Sequence, residues 1–162
     1  MTDYFTQFSC MFDVGTTGNA VRAIEIQRQK ALVLYDEDGS DLGFDVRHDP
    51  ETGPGALWIS SDEYGEPEHV IAFVLACAEA FDLQGRWGFV WGLSCSKPRL
   101  DGFGGGAQLI DLGARKSLAW IDCEQWLLAA LDPAFDAETA IAQSAAGGGE
   151  QVVGTGARPA EN

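Results

Sequence analysis

Basic side chains are scarce in this chain: ten lysines and arginines face twenty-five aspartates and glutamates, for a formal net charge of −15. Phosphate contacts work by releasing counterions to clustered Lys and Arg. Direct nucleic-acid binding is therefore excluded as an expectation, and so is adhesion to an anionic membrane surface. Histidine occurs only as His48 and His69, with no close Cys/His pairing to seed a zinc site. G-x-S-x-G, H-E-x-x-H and a Walker lysine are all missing. No run approaches the roughly eighteen apolar residues of a membrane span. Met1-Thr2-Asp3-Tyr4 lacks the positive and apolar regions of a secretory signal. The four cysteines (Cys10, Cys77, Cys95 and Cys123) include no C-x-x-C, so free thiols in a reducing cytoplasm are expected. No cofactor and no metal is expected, and the balance leans away from an enzyme.

What is present is enough apolar sequence, 46%, to build a core. One globular α+β domain over 1–132 is expected, followed by a flexible Gly/Ala-rich tail over 133–162. A brief helix over 137–145 is an option within that tail. Tyr4, Thr6, Phe8, Cys10, Phe12 and Val14 alternate as one face of a strand. A helix is predicted over Asn19–Lys30. The acidic run Asp36–Asp41 reads as a connector, leading to short strands Gly43–His48 and Ala56–Ser60. Val70, Val74, Cys77 and Phe81 form the core stripe of a second helix, with Pro67 at its first position.

Trp87, Phe89, Trp91, Leu93 and Cys95 then share a strand face. Gly88, Val90 and Gly92 lie on its other face, where small residues predict close packing by another element. Gln108–Leu112 and Ser117–Ile121 read as a hairpin. Asp122 and Gln125 have the spacing of a capping box for a last short helix. The expected architecture is an antiparallel sheet with helices on one face. Its elements follow the ferredoxin-like βαββαβ order, with a C-terminal β-hairpin and short helix added.

Three strings invite chemistry. Asp13-Val14-Gly15-Thr16-Thr17-Gly18 resembles the first phosphate-binding loop, D-x-G-T-T, of the sugar-kinase and actin-like ATPases. That resemblance implies a phosphate cradle with the aspartate near a metal, and Asp111-Leu112-Gly113 would have to serve as the second loop. It covers six residues, and the family needs two domains and places a hairpin where a helix follows here. The string reads instead as a strand-to-helix turn with a hydroxyl cap. Gly102-Phe103-Gly104-Gly105-Gly106-Ala107 satisfies G-x-G-x-x-A, but Lys97-Pro98-Arg99 precedes it and an extended segment follows. A flexible glycine loop is expected there, with Lys97 and Arg99 as neighbours that could form an anion nest. Counted from Asp36 as an EF-hand loop, position 6 is Asp41 and position 12 is Arg47, so the calcium pattern fails.

One feature remains. Between Asp36 and Glu68 lie eleven acids and a single base, Arg47, so this segment carries −10 of the −15. Asp36, Glu37, Asp38, Asp41, Asp45, Asp49, Glu51, Asp62 and Glu63 are the candidate partner-binding residues. Gathered on one surface, they would draw a basic protein and speed its encounter. The concrete expectation is a non-catalytic protein-binding module whose partner is a basic protein such as a nucleic-acid-binding enzyme. It would act as a nucleic-acid mimic of the anti-restriction or anti-CRISPR type, a comparison that rests on size and charge. Trp58 or Trp91 could add an apolar anchor. Two alternatives stand beside it: a small-molecule site at the glycine loop 102–106, and an assembly subunit that pairs with itself. The plainest alternative is a solvated acidic face that only prevents aggregation.

Overall fold

A computed structural model describes residues 1–136 and Glu138. The expected helix over 137–145 and nearly all of the expected tail lie outside the described residues. The chain order is β1 (Tyr4–Asp13), α1 (Thr17–Asp38), β2 (Asp45–His48), β3 (Ala56–Ser61), α2 (Pro67–Phe81), β4 (Arg86–Cys95), β5 (Gly104–Asp111), β6 (Lys116–Asp122) and α3 (Cys123–Ala130). The six strands form one sheet in the order β2-β3-β1-β4-β5-β6, and every neighbouring pair is antiparallel. The fold class is α+β. No helix among the described residues is long and apolar enough to cross a membrane.

Alternation in β1 sends Phe8 and Phe12 into the core beside Leu57 and Ile59 of β3. The stripe on α2 does the same with Val70, Phe73, Val74 and Cys77, while Ala20 and Ala23 give α1 a close approach. α1 and α2 therefore share one face of the sheet. Phe12, Trp87, Phe89 and Trp91 make a ladder of ring contacts across β1 and β4, with centroids 5.2 to 5.6 Å apart. The β1–β4 ladder runs only from Tyr4 to Gln7. Beyond it the Trp87 indole N–H donates to the Met11 carbonyl at 2.8 Å, so a side chain satisfies what the strand does not.

The Asp13–Gly18 string is a capped turn. Gly15 has φ 94°, its N–H meets Asp13 Oδ1 at 2.8 Å, and Thr16 Oγ1 accepts from Asn19 N at 3.1 Å. α1 then outruns the predicted Asn19–Lys30 by two turns. It closes only at Gly39, whose left-handed backbone returns its N–H to the Tyr35 carbonyl at 2.8 Å.

Arg115, at φ 58°, holds the turn between β5 and β6 against the end of α2. Its guanidinium donates to the Leu83, Leu112 and Gly113 carbonyls and pairs with Glu79 at 3.2 Å and Asp82 at 2.7 Å. Arg115→Ala should lower unfolding stability by about 2 kcal/mol, because charge-assisted bonds to carbonyls are lost together. Urea denaturation checks it, and a change under 0.5 kcal/mol would show those bonds to be replaced by water.

Candidate functional site

Antiparallel pairing brings the start of β2, the end of β3 and the start of β1 to one end of the sheet. The C-terminus of α1 returns to that same end. Asp36, Glu37 and Asp38 therefore form the last turn of α1, Asp41 lies on the segment leading into β2, and Asp45 is the first residue of β2. Asp62 and Glu63 follow β3, with Glu66 as the N-cap residue of α2. All of these side chains are exposed. Asp41, Asp45, Asp62, Glu66 and Tyr64 line an open depression of about 400 Å³, together with Ser40, Gly43, Phe44, Ser60 and Ser61.

Local hydrogen bonds set this loop. Asp38 Oδ1 accepts Ser40 N and Asp41 Oδ1 accepts Gly43 N, each at 2.9 Å. The Ser40 hydroxyl and N–H, with a smaller contribution from His69, hold the Asp38 carboxyl below the usual carboxylate range. His69 Nδ1 lies 2.9 Å from the Leu42 carbonyl, so that nitrogen carries the proton and ties the loop to α2. His48 Nε2 does likewise with the Pro54 carbonyl at 2.9 Å. Both histidines pin loops.

Not every predicted residue joins this end. Asp49 and Glu51 sit beyond the opposite end of β2, roughly 10 Å away along a strand rising about 3.3 Å per residue. Asp49 Oδ2 accepts the Thr52 hydroxyl at 2.7 Å and its carbonyl takes Thr52 N, so it shapes the turn. Seven of the nine candidates thus gather and two do not. Tyr35 and Tyr64, both 67% exposed, and Glu66 join the gathered acids. Glu66 belongs to the acid-rich segment counted from the sequence, whereas the two tyrosines are not legible there because a tyrosine in an apolar count reads as core. The ion pairs of Arg28, Arg99 and Arg115 engage Glu25, Asp101, Glu79 and Asp82. Among the described residues, none of the acids from Asp36 to Glu63 has an ion-pair partner.

No family model, curated protein or solved structure matches this chain.

The glycine segment is not a flexible loop. Gly104, Gly105 and Gly106 are the first residues of β5, paired with Leu93, Gly92 and Trp91. A Cβ on Gly105 would lie 2.3 Å from the Trp91 carbonyl oxygen, and one on Gly106 would lie 2.3 Å from that of Ile121. These glycines serve close packing within the sheet. Of the basic residues beside them, Arg99 meets Asp101 at 3.8 Å.

Trp91 is half-buried against the core, whereas Trp58 is 40% exposed with the Arg47 guanidinium 5.9 Å from its ring centre. All four cysteines are free. Burial pushes the thiols of Cys10 and Cys77 up to about 11 and about 12, so both stay protonated and unreactive at neutral pH. No group of three or more His, Cys, Asp or Glu among the described residues is placed to hold a metal ion.

Proposed function

We propose that this protein is a non-catalytic binding module whose acidic end, rimmed by Tyr35 and Tyr64, engages a basic protein in place of nucleic acid. One observation carries the reading. α1 has no acid in its first turn and no base in its last, yet ends Asp36-Glu37-Asp38. The helix macrodipole makes acids favourable at the N-terminus and unfavourable at the C-terminus, by about 0.3–1 kcal/mol each. Acids serving solubility alone would be as useful, and less destabilising, at the other end. A local rule broken at an exposed site points to function. Exposed tyrosines amid the carboxylates supply the apolar contact that charge by itself lacks.

The strand order β2-β3-β1-β4 supports reading the first six elements as the split βαβ, ferredoxin-like arrangement, with β5, β6 and α3 as an extension. The partner class, a basic nucleic-acid-binding enzyme, and a cytoplasmic setting belong to the same proposal.

The test separates the two groups of acids. Protein captured from host lysate at low salt should be basic and should lose DNA or RNA binding when this chain is added. Asp36→Lys with Glu37→Lys, Asp45→Lys and Asp62→Lys should weaken capture roughly 100-fold, while Glu51→Lys should leave it unchanged. Raising salt from about 0.1 M to 1 M shortens the Debye length from about 10 Å to 3 Å and should release the partner. Equal capture by both variants would sink the reading.

A further inference from the structure

The loop between β4 and β5, residues 96–103, carries the most exposed large apolar side chain among the described residues. Leu100 is 108% exposed, ahead of Met1 at 101%, and Phe103 is 58% exposed. Val90, on the small-residue face of β4 that no described element covers, is less exposed at 66%. A single exposed leucine is ordinary. This one differs in how firmly the loop beneath it is held.

Ser96 N donates to the Asp3 carbonyl and the Ser96 hydroxyl accepts Asp3 N, each at 2.9 Å. Gly102 N donates to the Arg99 carbonyl at 3.2 Å, closing a turn with Leu100 at its corner. Gly102 is buried on Cys95, where a Cβ would collide with Sγ, and the Cys95 thiol donates to the Lys97 carbonyl. The Tyr4 hydroxyl reaches both carboxylate oxygens of Asp101 at 3.4 Å, and Arg99 meets the Thr2 hydroxyl at 3.5 Å. Leu100 is thus presented on a fixed turn, and contact through it needs little further ordering of the loop.

β1 braces this loop and the acidic segment together. On its other edge Thr6 N donates to the Glu63 carbonyl at 2.7 Å, and Gln7 Nε2 donates to the Asp62 carbonyl at 2.8 Å. β3, β1 and β4 are consecutive in the sheet, so the two loops lie two strand spacings apart, roughly 10 Å. That is about one Debye length at 0.1 M salt. Any surface brought against Leu100 therefore meets the field of Asp62, Glu63 and Glu66. The loop itself adds little charge, since Lys97 and Arg99 face Asp3 and Asp101. An anionic lipid surface or a second copy of this −15 chain is repelled there, and a basic protein is drawn in.

We infer that Leu100 is the apolar anchor of the acidic end, seating in an apolar pocket beside the basic groove that the carboxylates engage. The inference rests on the acidic reading above and supplies the other half of the contact. Charge governs encounter and orientation, whereas a desolvated apolar side chain governs how long the complex lasts. From β2 to β4 is three strand spacings, about 15 Å. Both halves therefore fit within the about 800 Å² per partner of a standard interface.

Surface plasmon resonance with the basic protein purified from low-salt capture tests this. Leu100→Ser should speed dissociation roughly 30-fold and leave the association rate unchanged. Asp45→Lys with Asp62→Lys should instead slow association and flatten its dependence on salt. Val21→Ser, at a 62% exposed position near the start of α1 at the opposite end, should change neither rate. The urea midpoint of Leu100→Ser should match the parent, so that the rates report contact and not folding. Unchanged dissociation in Leu100→Ser, with charge reversal still slowing association, overturns the anchor and leaves the acidic reading standing. No capture, or capture unmoved by charge reversal, overturns the acidic reading and takes the anchor with it. Leu100-dependent flotation with phosphatidylglycerol vesicles, or a Leu100-dependent rise in mass with concentration, overturns the anchor by placing lipid or a second copy there.

Discussion

Phe73→Ala should lower unfolding stability by about 3–5 kcal/mol, measured by urea denaturation with a slope unchanged from the parent. Phe73 is fully buried on α2 and meets two elements at once. Its ring is edge-on to Phe12 of β1 at 6.5 Å and tilted against Phe44, just before β2, at 5.6 Å. Both neighbours are aromatic and belong to the sheet side, so the space left cannot close by a small shift of α2 alone. The loss would be a large share of the about 5–15 kcal/mol that holds a domain of this size. Phe73→Leu keeps most of the volume and should cost about half as much. Because Phe44 anchors the segment between Asp41 and Asp45, amide exchange there should quicken in Phe73→Ala before the rest of the sheet opens. A loss below 1 kcal/mol would mean that the core repacks around the gap.

That experiment bears on function, since the acidic end depends on the same core. Asp41 and Asp45 flank Leu42 and Phe44, both buried. The carboxylates are held out to solvent because the apolar residues between them are held in. In sequence this shows only as an acidic loop with two hydrophobic residues.

Period was the part that sequence conveyed well. The alternation from Tyr4 to Val14 and the spacing of Val70, Val74 and Cys77 each locate an element and its buried face. Dipole logic misled at α1: three acids before a glycine look like a connector, because they oppose the helix they end. Tertiary contact overrides that preference, through Ile26, Ala31 and Leu34 packed against the core. Gly104–Gly106 misled in the opposite sense. Consecutive glycines suggest freedom, but here their missing side chains admit the Trp91 and Ile121 backbone. Nothing local distinguishes the two uses of glycine. The split of Asp49 and Glu51 from the other acids was equally invisible, because it depends on which end of a four-residue strand each flanks.

Gly55→Ala should destabilise the fold by about 3 kcal/mol or more, at or above the top of the usual range for overpacking. A Cβ there would lie 2.3 Å from Gly15 N, 2.6 Å from its carbonyl carbon and 2.7 Å from Thr16 N. All three are backbone atoms, so no side chain can swing aside. The contact also matters beyond its own volume. The Gly55 carbonyl accepts Val14 N at 2.9 Å, which docks the loop between β2 and β3 on the turn that starts α1. Pushing the two apart strains the Thr16 cap, worth about 1 kcal/mol by itself. Gly53→Ala is the matched control, since its Cβ would make only an ordinary contact, 3.8 Å from that of Ala56. It should change stability by no more than about 0.5 kcal/mol. If Gly55→Ala proved as mild as Gly53→Ala, the loop would have to lift from α1 freely. The backbone approach that joins the β2–β3 pair to the first helix would then not be part of what holds the fold.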